Sequence, residues 1–386
     1  MTTLPDEIVL YDILPWLPSK SLLRFRCVCK SWHSFITHPS FLHLRRHRTN
    51  THSFLFLSPD PLAPVLAASQ PQLFSAPFHH LQPSRPTLLF TLPNLNFSET
   101  RVQCVNGLLC FHPKSSTWFS SHVSAFTLIA NPTTTQLLAL PLDHSIGEQK
   151  EFLVSTHFGY DPVRDEFKVL RLIKYHGSHE FKVFTVGVDT LWRVVSVPDR
   201  PFALMHTLLH NHKRGLCVNG VIHWTHSFGS ILHRLCIVTF DVGTEQCRVI
   251  PAPSGYSYRE NVTHLEFPNL VEIDGSLCLL GYSGSDLIKL WILKDLQDQV
   301  WEQASIALPS GTVTEHQVVY PLCRVSTGEV LLVPYFLPRR VKGIYYDMEK
   351  KNSRSVVVME MPQPLWPNHR GEVDIFFCQE SFRILK

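Results

Sequence analysis

The apolar positions of the chain follow two different periods, and the change comes near residue 50. Residues 4–48 read as helices, because large apolar side chains recur three and four residues apart. In the first segment these are Leu10, Ile13, Leu14 and Leu17. Pro5 suits a first helical turn, and Pro18 stops the helix. Pro15 removes a backbone donor inside the segment, so we expect this first helix to end early.

A second apolar stripe follows, running from Leu22 through Trp32 to Ile36, with Ser19 as its expected N-cap. After a break at residues 37–40, Phe41 begins a short last helix. A three-helix unit of this size buries too little apolar surface to be stable alone. We therefore expect its apolar residues to be shared with a partner, which would make the unit an interaction module.

From residue 53 onward, short apolar runs alternate with turns rich in Pro, Gly, Asn and Asp, which is the pattern of β-strands. Four turns followed by an apolar strand share a glycine, at Asn106-Gly107, Asn219-Gly220, Asp274-Gly275 and Thr327-Gly328. A second hairpin in each unit closes on a proline. These prolines recur roughly every 55 residues, at Pro141, Pro198, Pro251, Pro309 and Pro362.

A period near 50 residues with several antiparallel strands per unit predicts an all-β domain of the β-propeller type. Five repeats are visible in the sequence. Residues 53–57 and 88–92 are strand candidates ahead of them, and residues 373–378 form another near the end of the chain. We expect the two ends to pair and close the ring, because an open ring would expose sheet edges. The domain would then have five or six blades.

Composition narrows the functional classes. Apolar residues make up 44% of the chain and charged residues 17%, as in ordinary folded proteins. No apolar run reaches the length of a membrane span, and the N-terminus lacks the pattern of a signal peptide. The net charge of +3 is too small to indicate nucleic-acid or membrane binding. We expect a cytoplasmic and/or nuclear protein with neither nucleic acid nor membrane as a partner.

The sequence does not indicate catalysis, a metal or a cofactor. None of the ten cysteines has Cys-x-x-Cys spacing, so we expect reduced, buried thiols. His206 and His210 could share a helix face, as zinc ligands do, but no third ligand and no neighbouring glutamate accompany them. Asp161 and Asp165 fall in a turn, where aspartate side chains cap backbone amides. We expect no catalytic residues, no metal site and no cofactor.

The helical segment resembles the F-box motif. The resemblance rests on Leu4–Ile8, Ile13-Leu14, Leu17–Arg24, Val28–Trp32 and Ile36–Phe41, which follow one another in the order of that motif. It implies binding to a Skp-family adaptor, which links an F-box to a cullin scaffold. The residues that it assigns to the adaptor interface, or to the core of the F-box itself, are Leu4, Pro5, Ile8, Leu14, Leu17, Pro18, Leu22, Val28 and Trp32.

The β-region resembles the F-box-associated domain of plant F-box proteins, which is related to kelch propellers. Cys104–Cys110, Asn131–Thr134, Phe158–Pro162 and Val218–Trp224 carry this resemblance, and Glu380–Phe382 is similar to the end of that family. The two resemblances together imply a small all-α F-box domain over residues 1–48. They imply a kelch-like, F-box-associated β-propeller over residues 49–386.

This architecture implies the non-catalytic substrate-recognition subunit of a Skp–cullin–F-box ubiquitin ligase. Such a subunit recruits a protein target through its β-domain for ubiquitination and proteasomal degradation. One alternative is an adaptor-bound F-box protein that acts outside a ligase. Another is a kelch-like propeller enzyme or lectin with the helices as a cap. That alternative predicts converging polar or metal-binding residues at one rim, and the sequence offers no such set.

A protein target is expected at the loops of the propeller, where exposed aromatic and arginine side chains act as anchors. The candidates in loop-like segments are Trp118, Tyr175, His206, His210, Tyr256, Tyr258, Arg259, Arg339 and Arg340. Each is equally well explained as a packing or surface residue.

Most of the charged residues of the helical segment are basic. Between Asp12 and Asp60 the chain has no acidic residue, while Lys20, Arg24, Arg26, Lys30, Arg45, Arg46 and Arg48 are basic. This pattern predicts electrostatic attraction to an acidic protein, as the adaptor would be. The alternative is a solvated helical face.

Overall fold

The computed structural model of the chain contains an N-terminal helical unit and a ring of β-sheets. The described residues are 5–38, 40–41, 44–45, 52–59, 71–78, 83–92, 100–113, 126–143, 153–175, 178–196, 215–228, 234–256, 270–282, 286–312, 318–325, 327–334, 338, 340–360 and 374–385. No helix within these ranges is long and apolar enough to cross a bilayer.

The helical unit begins with an irregular segment. Ile8–Ile13 winds as a π-helix, and Leu14–Trp16 continues as a 3₁₀ turn. Pro15 lies in the first turn of that 3₁₀ segment, where its missing N–H breaks no hydrogen bond. The π-helix therefore ends at Ile13, ahead of the proline, as the sequence predicts. Helices α1 (Ser19–Phe25) and α2 (Lys30–Thr37) follow, and residues 40–41 and 44–45 are also helical.

Two details differ from the sequence pattern. The stripe from Leu22 to Ile36 is divided by a turn, and Cys29 caps α2, its Sγ accepting a hydrogen bond from the Trp32 N–H at 3.4 Å. Ser19 is not the N-cap of α1, because Pro18 holds that position. The Ser19 hydroxyl instead donates to the Glu380 carboxylate at the other end of the chain. A local cap was predicted, and a long-range contact takes its place.

The core of the helical unit includes a residue from the C-terminal tail. Leu14, Leu22, Ile36 and Phe41 are buried here, and Phe382 lies among them with no exposed surface. The rings of Phe41 and Phe382 meet edge to face, with centroids 6.1 Å apart. The sequence predicts that this unit shares its apolar residues with a partner, whereas Phe382 of the same chain supplies part of its core.

The described strands form six four-stranded antiparallel sheets, the blades of a propeller. In blade 1 they are β24 (Asp374–Gln379), β1 (His52–Pro59), β2 (Pro71–Pro77) and β3 (Thr87–Thr91). In blades 2 and 3 they are β4 (Thr100–Val105), β5 (Leu108–Pro113), β6 (Leu128–Asn131), β7 (Gln136–Ala139), β8 (Leu153–Asp161), β9 (Glu166–Tyr175), β10 (Ser178–Thr185) and β11 (Arg193–Val195).

The remaining three blades repeat the same order. In blades 4 and 5 the strands are β12 (Leu216–Val218), β13 (Val221–Phe228), β14 (Arg234–Asp241), β15 (Cys247–Pro251), β16 (Leu270–Ile273), β17 (Ser276–Tyr282), β18 (Leu287–Asp295) and β19 (Val300–Ala307). In blade 6 they are β20 (Val319–Arg324), β21 (Val330–Pro334), β22 (Arg340–Asp347) and β23 (Asn352–Glu360).

The ring is closed by the two ends of the chain. Strands β4, β8, β12, β16, β20 and β24 contact one another in that order, and β24 contacts β4, so these strands surround the axis. Strand β24 pairs with β1, with His52 opposite Gln379 and Leu57 opposite Asp374. The predicted pairing of the chain ends is confirmed, and it supplies a sixth sheet beside the five repeats read from the sequence.

Apolar cores lie between neighbouring blades. Leu108 of blade 2 packs with Phe158 and Val169 of blade 3, and Leu170 of blade 3 packs with Phe240 of blade 4. Every residue of β5 and of β21 is buried. Both faces of a blade are covered, which explains apolar runs without clean alternation.

Repeated turn chemistry shapes one side of the ring. Asn106, Asn219 and Asp274 each have a positive φ and precede a glycine that also has one, as a type I′ hairpin turn requires. Between the third and fourth strands, the side chains that accept hydrogen bonds from backbone N–H groups two or three residues further on are Asn131, Asp241, Asp295 and Asp347. Asp161 caps Val163 in the same way at 2.9 Å, as predicted.

The two sides of the ring therefore differ. Because the strands of a blade alternate in direction, the turns between strands one and two and between strands three and four lie on the same side of the ring. We call this side the near face. The connections between strands two and three, and those from one blade to the next, start from the opposite side, which we call the far face. The tail that enters the helical unit leaves β24 at the near face, where it meets the Asn106-Gly107 and Asn131 turns.

Candidate functional site

Large apolar side chains are concentrated at the surface of the helical unit. Five of the thirteen exposed large apolar residues described in the chain fall within its first 28 residues. They are Ile8, Tyr11, Ile13, Trp16 and Val28, with Trp16 57% and Val28 61% exposed. Exposed apolar surface of this kind is typical of a protein contact site.

The residues that the F-box resemblance assigns to the adaptor interface differ in their exposure. Pro5, Ile8, Pro18 and Val28 are exposed, Leu17 and Trp32 are half-buried, and Leu4 lies outside the described residues. Leu14 and Leu22 are buried in the helical core beside Phe382. These two leucines are thus in the core, one of the two positions that the motif allowed, and they support the surface from beneath.

Tyr11, Ile13 and Trp16 are the surface residues that the sequence reasoning did not include. The available signal was the number of apolar residues between Ile8 and Leu17, which exceeds what one face of a short helix can bury. The π-helical and 3₁₀ winding of this segment turns several of them outward.

The basic residues of the helical segment also differ in their exposure. Lys20, Arg24 and Lys30 are exposed and remain available for an acidic partner. Arg45 is not, because it is buried and its Nε donates to Glu380 Oε2 at 2.9 Å. Its Nη1 donates to the carbonyl of Pro15 at 2.8 Å. Arg45 therefore does not belong to the predicted electrostatic surface, because its guanidinium binds groups inside the molecule.

In sequence, the candidates for target binding fall at, or between, strand ends that belong to the far face. Trp118, His206, His210, Tyr258, Arg259 and Arg339 are outside the described residues, and Tyr175 is the last residue of β9. Tyr256 is half-buried and packs edge-on against Trp291, with ring centroids 5.2 Å apart. Arg340 is exposed, and its Nε lies 3.1 Å from Glu360 Oε1.

Charged groups are buried between blades 2 and 3. Lys182 Nζ lies 3.0 Å from Asp143 Oδ1. Arg171 Nη2 donates to Thr127 Oγ1 at 2.8 Å, and the guanidinium lies 3.8 Å from the centre of the Trp192 ring. Burial lowers the pKa of Arg171 to about 10, which still leaves it charged at neutral pH. The Lys182–Asp143 and Arg171–Thr127 contacts join the two blades, whereas Trp192 belongs to blade 3 itself.

The described part of the chain offers little reactive chemistry. No three His, Cys, Asp or Glu side chains within it form a group that could hold a metal ion. The cysteines are free, and Cys27 and Cys29 are exposed whereas the other eight are partly or fully buried. Burial raises the pKa of Cys217 to about 11 and of Cys236 and Cys247 to about 12. Such thiols stay protonated near neutral pH and are weak nucleophiles.

Comparison with known proteins identifies both parts of the chain. Residues 54–380 match the family described as "F-box associated beta propeller domain", and residues 1–49 match the F-box-like family. The F-box protein At2g21930 of Arabidopsis thaliana is 29% identical, with 92% of this chain and 87% of that protein covered. The F-box protein At5g65850 of the same plant is 28% identical, with 93% and 85% covered.

Among solved structures, one of a prolyl endopeptidase covers 92% of this chain and 53% of its own, at 9% identity and a TM-score of 0.36. That likeness is too low to carry an argument. The family matches are sufficient by themselves. The chain belongs to the plant F-box proteins that carry a C-terminal F-box-associated β-propeller domain.

Proposed function

We propose that this protein is the substrate-recognition subunit of a Skp–cullin–F-box ubiquitin ligase. Its helical unit would bind a Skp-family adaptor, and through it the cullin, while the propeller would hold a protein target for ubiquitination and degradation. The protein would perform no bond chemistry of its own. It would raise the effective concentration of a target lysine beside the ubiquitin-conjugating enzyme.

The observation that carries this proposal is the exposed apolar surface of the helical unit. Ile8, Tyr11, Trp16 and Val28 stay exposed although the same unit buries Leu14, Leu22 and Phe382. A unit with a completed core and a remaining apolar surface fits a protein that docks on a partner. The exposed Lys20, Arg24 and Lys30 favour an acidic partner.

A pull-down and a binding titration with the purified Skp-family adaptor test this interface. We expect Val28→Asp to weaken adaptor binding by about 100-fold or more, because the complex would bury an unpaired carboxylate. Val188→Asp is the matched control. Val188 is 65% exposed, close to the 61% of Val28, but it lies in a turn of blade 3. Its substitution leaves binding unchanged. Wild-type affinity in Val28→Asp would sink the proposed interface.

A second experiment separates a ligase subunit from an F-box protein that acts outside a ligase. The tagged chain is purified with its adaptor, and the presence of the cullin is measured, followed by ubiquitin transfer to co-purified proteins. A ligase subunit brings the cullin and supports transfer, and Val28→Asp abolishes both. Adaptor binding without the cullin would favour the second function.

A further inference from the structure

The C-terminal segment Glu380–Leu385, here called the strap, runs from β24 across the near face and contacts the helical unit with both charged and apolar groups. The Glu380 carboxylate accepts hydrogen bonds from Arg45 Nε, at 2.9 Å, and from the Ser19 hydroxyl. Arg26 Nη1 donates to the carbonyl of Phe382 at 3.4 Å. The Phe382 ring is fully buried among the helices. Arg45 also binds the carbonyls of Pro15 and Leu17, at 2.8 and 2.5 Å.

The same strap is held to the propeller by a separate set of contacts. Asn131 Nδ2 donates to the carbonyls of Ser381, at 3.0 Å, and of Arg383, at 2.8 Å. The Ser381 N–H donates to Thr133 Oγ1 at 3.0 Å. Arg383 binds the carboxylate of Asp165 in blade 3, with Nη1 3.2 Å from Oδ1. The Leu385 N–H donates to Gln136 Oε1 at 3.2 Å.

One turn position shows that blade 2 is adapted to this contact. Asp241, Asp295 and Asp347 of blades 4, 5 and 6 cap the turn between the third and fourth strands through Oδ1. Blade 2 has Asn131 at this position, and its Oδ1 caps Thr133 and Thr134 in the same way. A carboxylate would cap the turn equally well, but only the amide can also donate to the two strap carbonyls.

We propose that the strap is a clamp that completes the helical unit and fixes its orientation on blades 2 and 3. The helical unit then depends on a residue more than 300 positions away in sequence for one of its buried side chains. Releasing the strap destabilises the helices selectively and frees them from the near face, while the distant blades keep their structure. This inference concerns contacts within the chain, so it stands independently of the proposed ligase function.

Hydrogen–deuterium exchange of the full-length protein, followed by mass spectrometry, tests the clamp. We expect Phe382→Ala to accelerate amide exchange in α1 and α2 by about 100-fold or more, because a large buried side chain is lost. Phe382→Leu, which keeps most of the apolar volume, stays within about 10-fold of the wild type. Strands of blades 4 and 5 exchange as in the wild type in both variants.

Asn131→Asp provides a second, independent variant that leaves the helical core untouched. It keeps the turn cap but sets a carboxylate against two carbonyls, so the strap and the helices exchange about 10-fold faster or more. Asp295→Asn is the matched control, because it exchanges the same two groups at the equivalent turn of blade 5, and it leaves the helices unchanged. Helix exchange at the wild-type rate in both Phe382→Ala and Asn131→Asp would overturn the proposal. Equal loss of protection in all blades would overturn it too, because the tail would then belong to the propeller fold as a whole.

Discussion

At the scale of single residues, Gly107 meets two independent demands. Its φ of +83° belongs to the left-handed region that favours glycine. A Cβ at this position would also lie 2.7 Å from Ser381 Cβ and 2.9 Å from the Gln379 carbonyl oxygen. The turn and the passage of the tail therefore both require the absence of a side chain.

We predict that Gly107→Ala lowers the free energy of unfolding by about 2–4 kcal/mol, combining the cost of a positive φ with that of overpacking. Gly328→Ala isolates the first cost. Gly328 has a φ of +86° and no atom within 4 Å of an added Cβ, so we expect a loss of about 1–2 kcal/mol. Chemical denaturation of both variants measures the difference. Equal losses would mean that the tail does not approach Gly107 as described.

The sequence predicts that the turn needs a positive φ at Gly107, but it does not predict that the tail passes close to this residue. Asn-Gly between apolar runs indicates a type I′ turn, and Asn106-Gly107 forms one. Nothing local indicates that Ser381 passes over this turn, because the two residues are neighbours only in the folded chain. The same holds for Ser19 and Arg45. Their positions in the sequence predicted a helix cap and a surface charge, but both side chains bind Glu380.

At the scale of elements, adjacent blades are joined by ion pairs as well as by apolar contacts. Glu245, in the turn between β14 and β15 of blade 4, accepts from Lys168 Nζ of blade 3 at 2.8 Å. It also receives two hydrogen bonds from Arg193 of β11, one of them at 2.6 Å from Nη1 to Oε2. The Arg193 guanidinium, with the help of Lys168, lowers the pKa of Glu245 to about 2. The carboxylate is therefore ionised at neutral pH.

Replacing Glu245 by glutamine should loosen the contact between blades 3 and 4. We expect a loss of about 1–3 kcal/mol in the free energy of unfolding, because Lys168 is nearly enclosed and would keep only Glu166, whose Oε2 lies 4.0 Å from Nζ, as a counter-charge. Glu302→Gln is the control. It breaks an exposed pair between two strands of blade 5, with Lys294 Nζ 3.0 Å from Glu302 Oε2, and should cost at most about 1 kcal/mol. Urea denaturation measures both, and similar values for the two variants would contradict this role.

Most elements were predictable because their signals are local. The period of the apolar residues separated helices from strands, and the turn residues marked the blade repeats. Pro15 indicated the early end of the first helix. The break between α1 and α2 was not visible, because the stripe from Leu22 to Ile36 continues across it, and the cap that begins α2 is a cysteine, which is an unusual N-cap residue.

At the scale of the whole molecule, two buried histidines connect folding to pH. His157 of blade 3 stacks on Trp224 of blade 4, with ring centroids 4.6 Å apart. Burial, and to a smaller extent the neighbouring His112, lowers the pKa of His157 to about 3. Burial likewise lowers the pKa of His223 to about 4. Both side chains are neutral in the folded protein near pH 7.

Because these folded-state pKa values lie below the unfolded value of about 6.5, the unfolded chain binds protons that the folded chain does not. The contribution of these two histidines to the free energy of unfolding should be constant above this pH and fall below it by about 1.4 kcal/mol per pH unit for each histidine. The loss continues to about pH 4 for His223 and about pH 3 for His157.

Denaturation at pH 7.5 and pH 5.5 measures this linkage. We expect His157→Phe, which keeps the stacking on Trp224, to reduce the loss between the two pH values by about 1.4 kcal/mol. His33→Gln, at an exposed position of α2, serves as the control and leaves the loss unchanged. A wild-type stability that does not fall between pH 7.5 and pH 5.5 would contradict the buried, neutral state of both histidines.

The amino-acid sequence by itself determined the division into a helical unit and a ring of repeated blades, the positions of the turns, and the pairing of the chain ends. These features follow from periodicity, turn chemistry and the need to close a sheet, which act over short distances or on the whole repeat. Tertiary structure decided which apolar residues are buried and which remain exposed. It also decided that Phe382, Glu380 and Arg45 join the two parts. Such contacts arise between residues far apart in sequence, and no local pattern encodes them.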